Sequence, residues 1–190
     1  MKVAVFSEST NDSKAVISLL QQRNYTVQFK PILKVKGDQI ETLKAARALA
    51  LELESGKYSF TIYIRDLDAP HTDAAKRTQR TEWFNNLNNT TGNKGVFLLN
   101  IYELEALILA DIDTFNKDYG TSIKFISNPM HLANPKEFLQ DKTYKAKKRY
   151  EENHCPDLFS RLDIHKLINR ENFYFKDFID KLEARIKEIE

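Results

Sequence analysis

The side chains of this sequence best suited to chemistry are carboxylates. Glu8 follows a short apolar run, and Asp66 and Asp68 stand just behind another. In an extended segment alternate side chains turn to the same side, so the Asp66-Leu67-Asp68 spacing aims both carboxylates at one point and turns Leu67 inward. Carboxylates crowded together repel and shift toward protonation unless a cation compensates them. Hard oxygen donors suit Mg²⁺ or Mn²⁺. A second acidic pair, Glu103 and Glu105, follows a later apolar run. Residues two apart on a helix do not share a face, so both serve as ligands only if the helix begins after them. Asp-x-Asp alone is also a pattern of solvated loops and helix caps. Glu8 and the later pair tip the balance toward a site.

These side chains need elements to hold them. Lys2 to Phe6 is a β-branched apolar run, suited to a strand buried on both faces. Ser9, Thr10, Asn11 and Asp12 then offer N-caps to a helix whose apolar stripe is Ala15, Val16, Leu19 and Leu20. The same alternation continues with strands at 25–30, 58–64 and 96–99 and helices at 40–53, 72–87 and 102–110. A short fifth strand is expected at 121–126. Such alternation predicts an α/β fold, a mainly parallel sheet with helices on both faces. Ligands of such sheets sit outside the carboxyl ends of the strands, where Glu8, Asp66 and Asp68 fall. The texture changes near Pro129, giving an expected α/β core over 1–128 and a mostly helical extension over 129–190 packed on it. That extension opens with a basic stretch and continues in helices at 157–168 and 172–189, the last with a core stripe of Phe175, Phe178, Ile179, Leu182 and Ile186.

The composition is globular, with 42% hydrophobic and 29% charged residues. A formal charge of +2 from 29 basic and 27 acidic side chains sets up no global field for nucleic acid or membrane, so local clusters must carry any such argument. The one cysteine, Cys155, cannot form an intramolecular disulfide, and no apolar stretch has the length of a signal or a membrane span. A cytoplasmic protein is expected. No Gly-Lys-Ser/Thr loop or dinucleotide fingerprint is present, which argues against ATP hydrolysis by this chain.

A strand ending in Glu, a later strand ending in Asp-x-Asp and alternating β/α units resemble the TOPRIM domain of topoisomerases, primases and OLD-family nucleases. The runs F-S-E-S-T-N-D-S-K, Y-I-R-D-L-D, Y-E-L-E-A-L-I-L-A-D and N-P-K-E are similar to small stand-alone TOPRIM-like proteins of unassigned function, often encoded beside an ATPase in prokaryotic defence loci. The similarity runs from Lys2 to about Lys136. It implies a TOPRIM-like, Rossmann-like core and a Mg²⁺- or Mn²⁺-dependent nuclease of phage defence with an ATPase partner. It also implies Glu8 as metal ligand or acid/base, Asp66 and Asp68 as ligands, and Glu103 and Glu105 as a second acidic pair. Two ions roughly 4 Å apart can activate water and stabilise a leaving oxygen. Tyr102-Glu103-Leu104-Glu105 departs from the acidic motif usual in OLD nucleases. A non-catalytic, metal-binding subunit of an ATPase complex is the rival expectation.

Several cations fit a nucleic-acid partner. Lys136 could lend charge to a transition state, as a basic residue does in related nucleases. Lys76, Arg77 and Arg80 follow the Asp-x-Asp loop, near enough to hold a phosphate. Lys145, Lys147, Lys148 and Arg149, with Lys142 and flanked by Tyr144 and Tyr150, mix cations with aromatics as phosphate-tracking surfaces do. The plainer readings are a surface lysine for Lys136, a balance of local acids for Lys76, Arg77 and Arg80, and, with equal weight, a solvated helix face for the stretch from Lys142 to Arg149. His71 lies close to Asp68 as a possible accessory ligand, and the adjacent His154 and Cys155 lack the spacing of a structural zinc.

Overall fold

The computed structural model describes residues 1–32, 37–170 and 173–190. Its centre is a four-stranded, all-parallel sheet in the order β2-β1-β3-β4, built from β1 (Lys2–Phe6), β2 (Gln28–Ile32), β3 (Phe60–Asp66) and β4 (Gly95–Asn100). The architecture is α/β and Rossmann-like, as the alternation predicts. The strand called at 25–30 begins later and includes Pro31. A residue without an N–H is tolerated there because β2 is an edge strand.

Period-two alternation splits each strand between two apolar clusters. Val3, Val5, Ile62, Ile64, Val96 and Leu98 join one, whereas Ala4, Phe6 and Tyr63 join the other. The first face is covered by α1 (Thr10–Leu20) and by later helices, the second by α2 (Leu43–Glu54) and α3 (Ala74–Thr90). Ser9 caps α1, its side chain accepting from the Asp12 N–H. Because β1 leads outward to β2 while β3 leads the opposite way to β4, the topological switch point lies between β1 and β3.

After β4 come α4 (Ala106–Ala110) and α5 (Ile112–Tyr119). The helix expected over 102–110 thus starts only at Ala106, because Tyr102 takes a left-handed φ of 56° and its N–H bonds to Ala69 O instead. The expected fifth strand is absent: residues 121–126 run without a ladder. The Asn116 side chain takes the backbone bonds of Ile123, at 2.9 Å from N–H and 2.8 Å to the carbonyl, so these groups need no neighbouring strand. Then follow α6 (Pro135–Lys142), α7 (Cys155–Phe159), α8 (Ile164–Asn169) and α9 (Phe173–Lys187). The helix expected over 157–168 is two, because Asp163 caps α8 afresh by accepting from the His165 and Lys166 N–H groups. The expected start of the last helix at Asn172 lies outside the described residues. Among the described residues, no helix is long and apolar enough to cross a membrane.

Candidate functional site

The carboxyl edge of the sheet gathers acids, and two buried arginines organise part of them. Arg65, next to last in β3, pairs with Glu8 beyond β1 and donates to Glu41 Oε1 at 2.9 Å. Arg80 on α3 also pairs with Glu41, donates from Nη2 to Asp68 Oδ2 at 2.7 Å and from Nε to the Asp66 carbonyl at 3.0 Å. Asp68 takes a left-handed φ of 56°, which breaks the strand alternation and sends its carboxylate to Arg80. The expected convergence of Glu8, Asp66 and Asp68 on one point is therefore not formed. Among the described residues, no three His, Cys, Asp or Glu side chains stand together as a ready cage for a metal ion.

Asp66 behaves differently. It ends β3 directly opposite Asn100 at the end of β4, and Asn100 Nδ2 donates to Asp66 Oδ1 at 2.9 Å. The residue is half-buried, and its Oδ1 faces Asn100. Burial and then the charge of Asp12 push that carboxyl well above the usual range, Glu105 and Asp68 add to the shift, and the Asn100 bond opposes it. Asp12, in the first turn of α1, is itself raised to about 6, chiefly by burial. Glu105, 5% exposed, is raised to about 7 by burial and the charge of Glu103. Asn100 is 4% exposed, and among the described residues its Oδ1 has no hydrogen-bond partner. A buried carbonyl oxygen left unpaired costs about 1–3 kcal/mol.

That oxygen and these carboxylates test the fit of a divalent cation. A hard ion needs oxygen donors with spare lone pairs, and Asn100 Oδ1 with Asp66 supplies them beside the raised carboxyls of Asp12 and Glu105. Asp66 and Asn100 are the residues of this edge whose donor atoms suit such an ion.

Glu103 and Glu105 both precede α4, which meets the condition for the pair to act together. Glu103 accepts from the Lys136 N–H at 3.2 Å and pairs with Lys136 Nζ at 3.2 Å. Burial disfavours the Lys136 charge, yet Glu103, Glu105 and Glu152 hold it protonated. Glu105 Oε1 accepts from the buried Tyr150 hydroxyl at 3.1 Å, which also lies 2.9 Å from Cys155 Sγ.

The structure thus groups Glu8, Asp66, Asp68, Glu103, Glu105 and Lys136 along one edge. Of the cations expected on phosphate, Arg80 is buried and committed to acids, whereas Lys76 and Arg77 are partly exposed on the same helix. Lys145, Lys147, Lys148 and Arg149 are exposed; Lys148 lies over the Tyr119 ring at 5.2 Å and Arg149 over Tyr144 at 5.6 Å. His71 stacks on His131 with ring centroids 4.7 Å apart. Asp12, Glu41 and Asn100 escaped the sequence reading. Asn100 carried a signal, since it ends the fourth strand as Asp66 ends the third. Asp12 read as a mere cap candidate.

A parallel α/β domain with an acidic, arginine-braced edge at its switch point is the class that fold and site define. The chain belongs to the family described as Domain of unknown function (DUF4276), whose match covers residues 7–183. No curated protein and no solved structure matches it.

Proposed function

We propose that this chain is a Mg²⁺- or Mn²⁺-dependent nuclease of TOPRIM type, acting in prokaryotic defence with a separately encoded ATPase. The observation that carries the reading is the pair Asp66 and Asn100: a carboxyl and a buried, unpartnered amide oxygen side by side at the carboxyl ends of β3 and β4, among carboxyls raised toward neutrality. Asp66 and Asn100 would hold the cation, with Glu8 and Asp68 from the same edge as further ligands and Glu103 and Glu105 as the second acidic pair. When bound there, such an ion would supply positive charge able to activate water and offset charge on a phosphate. Tyr150, donating to Oε1, fixes the Glu105 carboxyl in place within that pair. Lys136 keeps a positive charge beside it, suited to oppose the growing negative charge of a cleaved phosphodiester.

The test is metal-dependent cleavage of DNA and RNA by the chain alone and with the product of its neighbouring ATPase gene. Cleavage in Mn²⁺ that Asp66→Asn abolishes, with at least a hundredfold loss on the order expected for an electrostatic catalytic group, supports the proposal. A second reading has its own observation. Arg65 and Arg80 already neutralise Glu8, Glu41 and Asp68, as they would in a non-catalytic subunit docked on the ATPase. Mn²⁺ binding by calorimetry without cleavage by the assembled complex would favour that reading.

A further inference from the structure

Away from the acidic edge, a groove of about 610 Å³ runs between the unladdered segment 120–126 and α6 with the turn behind it. Its floor is apolar, with Ile123, Ile126 and Phe138, and its rim carries Lys124, Lys142 and Lys145. No acidic side chain lines it, and among the described residues none of the three lysines makes an ion pair. Lys142 Nζ lies 5.3 Å from the Phe138 ring centroid. Two exposed aromatics adjoin lining residues in the chain, each with a cation at its ring: Phe125, between Lys124 and Ile126, 48% exposed, under Arg170 at 4.7 Å, and Tyr144, next to Lys145, 68% exposed, under Arg149 at 5.6 Å.

Exposed rings near lysines that make no ion pair are the parts of a stacking platform. Bases stack on the rings whatever their sequence, and phosphates follow the cations. A duplex hides its base faces and cannot use the aromatics. An acidic peptide would satisfy the lysines but leave the aromatics without a role. The helix that bears Phe138 and Lys142 on the groove begins beside Lys136, which pairs with Glu103. Six residues of helix separate Lys136 from Lys142, about 9 Å of rise, so a strand lying in the groove is within a few nucleotides of the acidic edge.

We infer that this groove binds single-stranded nucleic acid and leads it toward the acidic edge. The inference names the substrate class of the proposed nuclease and rests on that reading for the reaction, not for the binding.

Binding is measured by fluorescence anisotropy in EDTA, so that turnover plays no part, with labelled oligothymidylate and oligouridylate, a duplex of equal length, and polyglutamate as probes. One of the single strands should bind more tightly than the duplex and polyglutamate. Changing Lys124, Lys142 and Lys145 together to Ala should lower the slope of log affinity on log salt by about 2, from roughly 0.7 per phosphate contact. Tyr144→Ala should weaken single-strand binding roughly fivefold to a hundredfold while leaving that slope unchanged. All four side chains are exposed, so their loss should leave the fold intact, which thermal melts of the variants check. An unchanged affinity and slope in the triple variant, or tighter binding of duplex or polyglutamate, overturns the inference. Metal-dependent cleavage that persists beside an unchanged slope leaves the nuclease standing without the groove. Binding as expected with no cleavage under any condition leaves the groove standing without the nuclease.

Discussion

Asp66 sits in an environment that resists its own ionisation. Among the described residues its carboxylate has one hydrogen-bond donor, Asn100 Nδ2, and the nearby charges of Asp12, Glu105 and Asp68 are all of its own sign. A folded-state pKa above the ordinary carboxylate value means that this group favours folding when protonated, and that the advantage is lost as pH rises through the raised value. Asp12 and Glu105 carry the same sign, with windows reaching to about 6 and about 7. The metal-free protein should therefore lose stability between about pH 4 and pH 8. Asp66→Asn should raise its melting temperature at the upper end of that range, by about 2–4 °C for each kcal/mol of repulsion relieved in a chain of this size. Adding Mn²⁺ should stabilise the wild type and leave the variant unmoved. Equal stabilisation of both proteins by Mn²⁺ in calorimetric melts would remove Asp66 from the site. At this scale the sequence disclosed residue types and hid their pairing. Asp-x-Asp marks a place, but whether Asp68 meets Asp66 or Arg80 depends on one left-handed turn that no spacing rule announces.

Elements were legible where pattern and burial agree. The strands buried on both faces, β1 and β3, read as apolar runs, and their ends place Glu8 and Asp66 correctly on the carboxyl edge. Junctions set by a single side chain were not. Asn116 replaces a strand, Asp163 splits a helix and Tyr102 delays α4. Two of the joints can be tested. Asp111, fully buried between α4 and α5, accepts from the Asp163 N–H at 2.9 Å and from Lys166 Nζ at 2.7 Å, tying that junction to the start of α8. Burial alone would raise its carboxyl, but the Asp163 N–H, Lys166 and Thr114 together hold it below the ordinary range. Its contribution is thus present above the unfolded value of about 4 and is lost as pH falls through the folded one. Asp111→Asn should cost about 1–3 kcal/mol at neutral pH in urea melts and less near pH 3, so that the gap between the curves narrows on acidification. At the head of β4, a Cβ on Gly95 would press into the Tyr63 ring and the Asn88 side-chain oxygen. Gly95→Ala should therefore destabilise by roughly 1–3 kcal/mol, whereas Gly56→Ala meets no neighbour within 4 Å and strains only its backbone, at a φ of 69°. Equal melting of wild type and Gly95→Ala would show that β4 yields at its start.

For the whole molecule the question is whether the segment from 129 onward is an appendage. The stripe of Phe175, Phe178, Ile179, Leu182 and Ile186 announced a core face, and all five side chains lie in the same apolar cluster as Val3, Ile62 and Leu98 of the sheet. Helix α9 packs on β4, and α7 packs on α1. The same segment brings Lys136, Tyr150 and Cys155 to Glu103 and Glu105, so it completes the acidic edge as well as the core. Burial of five large apolar side chains contributes on the order of 10 kcal/mol at about 1.5–3 kcal/mol each. That is comparable with the whole stability of a domain, about 5–15 kcal/mol. A chain ending at Arg170, without α9, should accordingly show no cooperative thermal transition, bind a hydrophobic dye and fall quickly to protease. Leu182→Ala offers a milder probe in the full chain. Because Leu182 is fully buried, it should lose about 2–5 kcal/mol in denaturant melts while remaining two-state. If the shortened chain instead melts cooperatively, and Leu182→Ala costs less than about 1 kcal/mol, the sheet with α1 to α3 is the folding unit and α9 only rests on it.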